Sequence, residues 1–143
     1  QFRLDGKVAV VTGAGGRGNS IGRAYALGLA NAGAAVVVAD LNGAGAQAVA
    51  DEIVAAGGTA IGVAVDVADE AATLAMASAA VEAFGRVDIL VVASGKNDVS
   101  KITDMAPERF LDVMDANVTQ SWLMAKTTTA QMLKQGGGGK AAA

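Results

Sequence analysis

Lys7-Val8-Ala9-Val10-Val11-Thr12 runs directly into Gly13-Ala14-Gly15-Gly16-Arg17-Gly18-Asn19-Ser20-Ile21-Gly22. An apolar, β-rich run stops at a loop with five glycines in ten residues, and a helical pattern follows at once. A strand that hands a glycine-rich loop to a helix N-terminus makes an anion site. The loop N–H groups and the positive end of the helix dipole both point at bound phosphate. Side chains there would keep the backbone away from a pyrophosphate, so the loop needs glycine. The spacing of Gly13, Gly18 and Gly22 is looser than G-x-G-x-x-G, a pattern weak on its own. Its place in the first strand–helix turn favours phosphate binding over a plain surface turn.

The rest of the composition narrows the class. Hydrophobic residues make up 52% of the 143, aromatics only 3%, and there are 19 glycines. That balance fits Ala-lined contacts between helices and a sheet, and not a disordered chain. The net charge is −3 with the basic residues scattered, so no basic stripe addresses nucleic acid or a membrane surface. Without cysteine or histidine, disulfides, thiolate chemistry, histidine metal sites and His-based triads are excluded. The start, Gln1-Phe2-Arg3-Leu4-Asp5-Gly6, has no signal-peptide core, and the most apolar window, 25–39, is too short to span a bilayer. The expectation is a cytoplasmic protein.

Apolar runs and turn residues predict strands at about 7–12, 35–40, 59–65 and 88–93. Helical spacing predicts helices at about 20–32, 43–56 and 69–84, followed by Gly33, Gly57-Gly58 and Gly85 and with Asp69 as a cap for the third. Alternating strands and helices imply right-handed βαβ units and a parallel sheet covered on both faces. A polar loop at 95–106 then leads to Pro107, a favoured first residue for a long helix. Phe110, Val113, Met114, Val118, Ser121, Trp122 and Ala125 give that helix one apolar face.

Two acids stand where strands two and three end. Asp40, 18 positions after Gly22, is placed to accept hydrogen bonds from an adenosine ribose and to repel a 2′-phosphate. The alternative is a cap for the helix beginning at Gly43. Arg17 is a candidate partner for a 2′-phosphate, or a solvated charge; Asp40 decides for NAD over NADP. Asp66 is placed equally well to accept the adenine amino group or to shape the turn before the next helix.

Taken together, the chain resembles the N-terminal part of a short-chain dehydrogenase/reductase. The resemblance runs over residues 4–143. Leu4-Asp5-Gly6-Lys7-Val8-Ala9-Val10-Val11-Thr12-Gly13, Ser20-Ile21-Gly22-Arg23-Ala24, Ala39-Asp40, Asp66-Val67, Phe84-Gly85-Arg86-Val87-Asp88-Ile89-Leu90-Val91 and Met114-Asp115-Ala116-Asn117-Val118 all fall in family order. The resemblance implies an α/β fold, a Rossmann-type doubly wound parallel sheet in three layers. It implies hydride transfer between a nicotinamide cofactor and an alcohol or carbonyl. Gly13, Gly16, Arg17, Gly18, Ser20, Ile21 and Gly22 would form the pyrophosphate side, Asp40 with Leu41 the ribose contact, and Asp66 and Val67 the adenine contact. Ser94 and Gly95 would lie near the second ribose. Asn117 matches the active-site asparagine, which sits at a break in the long helix and helps hold a proton-relay water; its bland alternative is an interhelix hydrogen bond.

Three departures from the family pattern bear on mechanism. The glycine loop is about three residues longer than usual, with Ser20 in place of the middle glycine, a feature reminiscent of enoyl reductases. Val92-Ala93-Ser94-Gly95 replaces the family's Asn-Asn-Ala-Gly, removing amides that brace the central sheet. The catalytic Ser and the Tyr-x-x-x-Lys pair do not occur, and the only tyrosine, Tyr25, belongs to the first helix. These residues therefore bind a cofactor without supplying its proton donor, which keeps a non-catalytic dinucleotide-binding module as an alternative. The expectation is that residues 1–143 are the cofactor-binding part of a longer Rossmann-type domain. Gly136 to Gly139 reads as a flexible approach to another strand, without which the fourth strand would be an open edge. The helix after Pro107 carries more apolar surface, Trp122 and Met124 included, than one sheet face requires. The resemblance implies that it pairs between subunits of a homo-oligomer, a tetramer or a dimer; the alternative is that further chain covers it.

Overall fold

The computed structural model describes residues 2–136 and 140–142. Five strands, β1 (Val8–Thr12), β2 (Ala35–Asp40), β3 (Thr59–Ala64), β4 (Ile89–Val92) and β5 (Lys140–Ala142), form one parallel sheet in the order β3-β2-β1-β4-β5. Helices α1 (Ile21–Asn31), α2 (Gly43–Ala55), α3 (Glu70–Phe84), α4 (Pro107–Met114) and α5 (Gln120–Lys134) cover it, with a π-helical turn at Asp115–Thr119 between the last two. The strand order doubles back at β1, so the C-terminal ends of β1 and β4 flank the point where the chain changes direction.

Strand periodicity divides the core. Val10, Val37 and Leu90 point to one face and pack with Met76, Ala80, Met124 and Met132 of α3 and α5. Val11, Val36, Val38 and Val91 point to the other, against Ala26, Ala46, Val49 and Ile53 of α1 and α2. Alanine on the helices lets them lie close to a valine-rich sheet, and this explains how a nearly aromatic-free chain fills two layers. Gly33, Gly57 and Gly85 carry positive φ just after α1, α2 and α3, whereas Gly58 does not. Asp69 caps α3 as expected, its carboxylate accepting from the Ala71 N–H at 3.2 Å.

Strand and helix expectations hold to within two residues up to β4. One reading after Pro107 needs correction. The helix breaks around Asn117, where the resemblance placed a break: the π turn shifts its phase, and the face that meets the sheet is Leu123, Met124, Thr127, Thr128 and Met132. Met124 is therefore fully buried, not exposed. Phe110, Met114, Val118 and Trp122, expected as one apolar face, do form one, but it faces outward; Trp122 is 60% exposed. The glycine run does lead to another strand, as expected: Lys140–Ala142 pairs with β4 in parallel register. Residues 137–139 of the glycine run lie outside the described residues.

The N-terminal edge of the central strands carries one buried charge. Asp88 is 3% exposed and accepts from the Val8 N–H at 2.9 Å and from Arg86 Nε at 2.7 Å. Burial pushes this carboxyl up, but the Arg86 guanidinium, the Val8 N–H and nearby Lys7 outweigh it and hold it below the usual carboxylate range. A lowered folded-state pKa gives stability that is present above the unfolded value of about 4 and lost as pH falls through the folded value. Asp88→Asn is thus expected to be less stable than the parent at pH 7, with the gap closing toward pH 3 in thermal unfolding. A gap that stays constant with pH would show that the charge is not what matters.

Candidate functional site

The glycine loop is shaped by two close backbone approaches. Gly13 follows β1 with φ +69°, and a Cβ there would stand 2.5 Å from the Ser94 nitrogen, because the ends of β1 and β4 converge. A Cβ on Gly22 would stand 2.3 Å from the Gly13 carbonyl oxygen, since the first turn of α1 rests on that peptide. Ser20 caps α1, its hydroxyl accepting from the Arg23 N–H at 3.2 Å. The N–H groups of Ile21 and Gly22, first in the helix, have no intrahelical acceptor and remain available to an anion. Where two asparagines would have braced the sheet, Thr12 and Ser94 exchange a hydroxyl–hydroxyl contact of 3.3 Å across β1 and β4.

The outer part of the loop is exposed. Arg17 lies at the surface, and Gly16 and Gly18 line a cleft of about 310 Å³ against α2 together with Asn19, Arg23 and Glu52. Arg23 Nε donates to Glu52 at 3.0 Å, and Arg23 Nη1 donates to Asn19 at 3.3 Å. The longer loop is thereby tied to α2.

A second cleft, of about 430 Å³, opens at the C-terminal edge of the sheet. It gathers Gly13, Asp40, Leu41, Asp66, Val67, Ser94 and Gly95 from the ends of four successive strands. Val65, Ala93 and Gln120 line it too and were not anticipated. Gln120 depends on the π turn, which no spacing rule locates. Asp40 is not the cap of α2; that is Asn42, which accepts from the Gly45 N–H at 3.1 Å. The Asp40 carboxylate accepts one N–H at each oxygen, from Gly15 at 3.0 Å and Asn42 at 2.9 Å. Asp66 does shape its turn, accepting from the Ala68 N–H at 3.0 Å, while also lining the cleft. A further cleft lined by Arg3, Asn31 and Gly57 lies at the opposite edge of the sheet, away from all these groups.

Beyond β4, ion pairs tie the 95–106 loop to α4. Lys96 pairs with Asp112 and Arg109 with Asp98. The Arg109 guanidinium holds the Asp98 carboxyl below its ordinary range. Asn117, in the π turn, accepts from the Lys96 N–H at 2.9 Å and donates to the Lys96 carbonyl at 2.7 Å. Its amide thus pairs with a single backbone residue much as a neighbouring strand would. Ser121 donates to the Asn117 carbonyl at 2.9 Å. Gln135 repeats the device at the other end of β4, donating to the Val87 carbonyl at 2.6 Å and accepting its N–H at 3.0 Å. Tyr25 is 51% exposed on α1 and is not among the residues lining the cleft.

Comparison with known proteins follows the same lines. A family model described as short chain dehydrogenase matches residues 7–140. D-threitol dehydrogenase of Mycolicibacterium smegmatis is 39% identical over 137 residues, covering 96% of this chain and 52% of the relative. The 7alpha-hydroxysteroid dehydrogenase of Escherichia coli K12 is likewise 39% identical, with the same coverage. A solved 7 alpha-hydroxysteroid dehydrogenase complexed with NADH and 7-oxo glycochenodeoxycholic acid superposes with TM-score 0.87 at 38% identity, over 96% of this chain and 52% of that one. A short-chain type dehydrogenase/reductase from Mycobacterium marinum gives TM-score 0.91 at 37% identity, over 98% and 54%. The chain spans about half the length of these relatives. By sequence match and fold alike, it belongs to the short-chain dehydrogenases.

Proposed function

We propose that these residues are the cofactor-binding part of an NAD-preferring oxidoreductase. The reaction is hydride transfer between the nicotinamide and an alcohol or carbonyl, in a subunit about twice this length. The observation that carries the reading is the single cleft that collects the Gly13 turn, Asp40, Asp66 and Ser94 at the strand C-termini. The residues fit a dinucleotide. A Cβ at Gly13 or Gly22 would collide with backbone, so the turn keeps α1's unpaired N–H groups at the cleft end of β1. Each Asp40 oxygen has used one acceptor position and keeps another for a ribose hydroxyl. A 2′-phosphate at that point would meet the carboxylate charge, which supports NAD; exposed Arg17 is the group that would favour NADP instead.

When bound, the nicotinamide gives or takes the hydride. Leu41 and Val67 supply apolar wall beside Asp40 and Asp66, and Ser94 and Gly95 close the β4 side. The Asn117 amide, committed to Lys96, holds the loop after β4 against the π turn, so its role here is to position that loop. Hydride delivery to a carbonyl leaves an oxyanion that needs a proton donor. Tyr25 does not line the cleft, so that donor is assigned to sequence beyond these 143 residues. D-threitol and hydroxysteroid dehydrogenases among the relatives support a secondary alcohol as substrate. The outward stripe of Phe110, Met114, Val118 and Trp122 supports a homo-oligomer. A cytoplasmic setting belongs to the same reading. Among the described residues no helix is long and apolar enough to cross a membrane.

The test is turnover by the full-length gene product with NAD or NADP against polyols, hydroxysteroids and their ketones, alongside an enoyl thioester. NAD-dependent oxidation of a secondary alcohol is expected. Reduction of the enoyl thioester would make it an enoyl reductase. Tight dinucleotide binding with no turnover of any of them would make it a binding module.

A further inference from the structure

We infer that Asn42 is a positioning residue for the dinucleotide, acting through Gly15 of the glycine loop; the inference rests on the cofactor reading above. Two side chains of the β2–α2 turn grip both backbone groups of Gly15. Its N–H donates to Asp40 at 3.0 Å, and its carbonyl accepts from Asn42 Nδ2 at 3.2 Å. The Asn42 N–H in turn donates to the other Asp40 oxygen at 2.9 Å, closing a ring of three residues. Meanwhile Asn42 Oδ1 caps α2 through the Gly45 N–H.

The contact leaves no room for side chains. A Cβ on Gly15 would stand 2.6 Å from the Ala46 nitrogen, and a Cβ on Gly45 would stand 2.0 Å from the Gly15 oxygen. The first half of the loop therefore lies directly on the first turn of α2, and only the part beyond Gly15 is exposed. Two consequences follow for the ligand. The Gly15 N–H is already used, so phosphate contacts fall to the groups after it and to the start of α1. The Asp40 carboxylate is held in one orientation, which favours two hydroxyls on a ribose over a flexible anion partner.

Asn42→Ser separates positioning from capping. A serine hydroxyl still caps α2 but is too short to reach the Gly15 carbonyl as well. In the full-length protein the thermal midpoint is expected to stay within about 2 °C of the parent. The NADH dissociation constant is expected to rise about three- to tenfold, the scale of one hydrogen bond. NADPH binding, which does not use the oriented carboxylate, should change less, so the ratio of the two constants narrows. Asn42→Ala should show the same binding loss and also a lower midpoint. Unchanged NADH affinity in Asn42→Ser would overturn the inference and leave Asn42 as a helix cap only. A parent protein that binds neither dinucleotide would overturn the cofactor reading itself, and the inference with it.

Discussion

Gly13→Ala is expected to abolish dinucleotide binding and to cost the fold about 3 kcal/mol. The first reason is local: at φ +69° an L side chain is strained. The second is steric. The new Cβ meets the Ser94 nitrogen at 2.5 Å and the Ala93 carbonyl at 2.7 Å, atoms of the backbone leaving β4 that cannot swing aside. Overpacking of this kind costs on the order of 1–3 kcal/mol, with the backbone strain added. Relief requires β1 and β4 to separate where the cleft lies, which also pulls Thr12 from Ser94. Gly22→Ala should behave similarly, since its Cβ would press on the Gly13 carbonyl at 2.3 Å. Thermal unfolding together with NADH titration checks both. Either variant binding NADH like the parent would mean that the turn is not the phosphate cradle.

Asp40→Ala is expected to reverse the proposed preference for NADH over NADPH. On the proposed reading, removing the carboxylate would delete two charge-assisted hydrogen bonds to the ribose, worth about 1.5–3 kcal/mol each when a charged acceptor is involved. NADH affinity should fall on the order of 100-fold, allowing for partial replacement by water. NADPH should lose nothing comparable, because the variant no longer repels its phosphate, and exposed Arg17 of the glycine loop is a candidate to pair with it. Dissociation constants for both cofactors decide the matter. A parallel fall for NADH and NADPH would show that Asp40 acts only by holding Gly15.

Much of this was legible in the chain because parallel sheets buried on both faces write themselves as short valine-rich runs. Val36-Val37-Val38 leaves no ambiguity about a covered strand, and Gly33 and Gly85 mark helix ends by backbone preference alone. The strand-end acids were legible for a similar reason, since topology forces every strand C-terminus to the same edge. The π turn was legible only as a break at Asn117, through the resemblance. One extra residue in a helical turn rotates everything after it, so a constant spacing placed Met124 outside beside Trp122, although only Trp122 is exposed. Asn42 was equally silent: its dual use as cap and as clamp depends on how closely α2 approaches Gly15, a distance that no local pattern encodes. Asn117 was found only through resemblance, and its bonds to the Lys96 backbone could not be read from sequence separation.

The cleft between the ends of β1, β2 and β4 is proposed to take an adenine dinucleotide and to prefer the one without a 2′-phosphate. Calorimetric titration of the full-length protein with NADH and with NADPH tests it most directly. One site per subunit is expected, with NADH bound at least about tenfold more tightly, as for a carboxylate facing a ribose and not a phosphate. NADPH binding more tightly, or no heat from either cofactor, would contradict it.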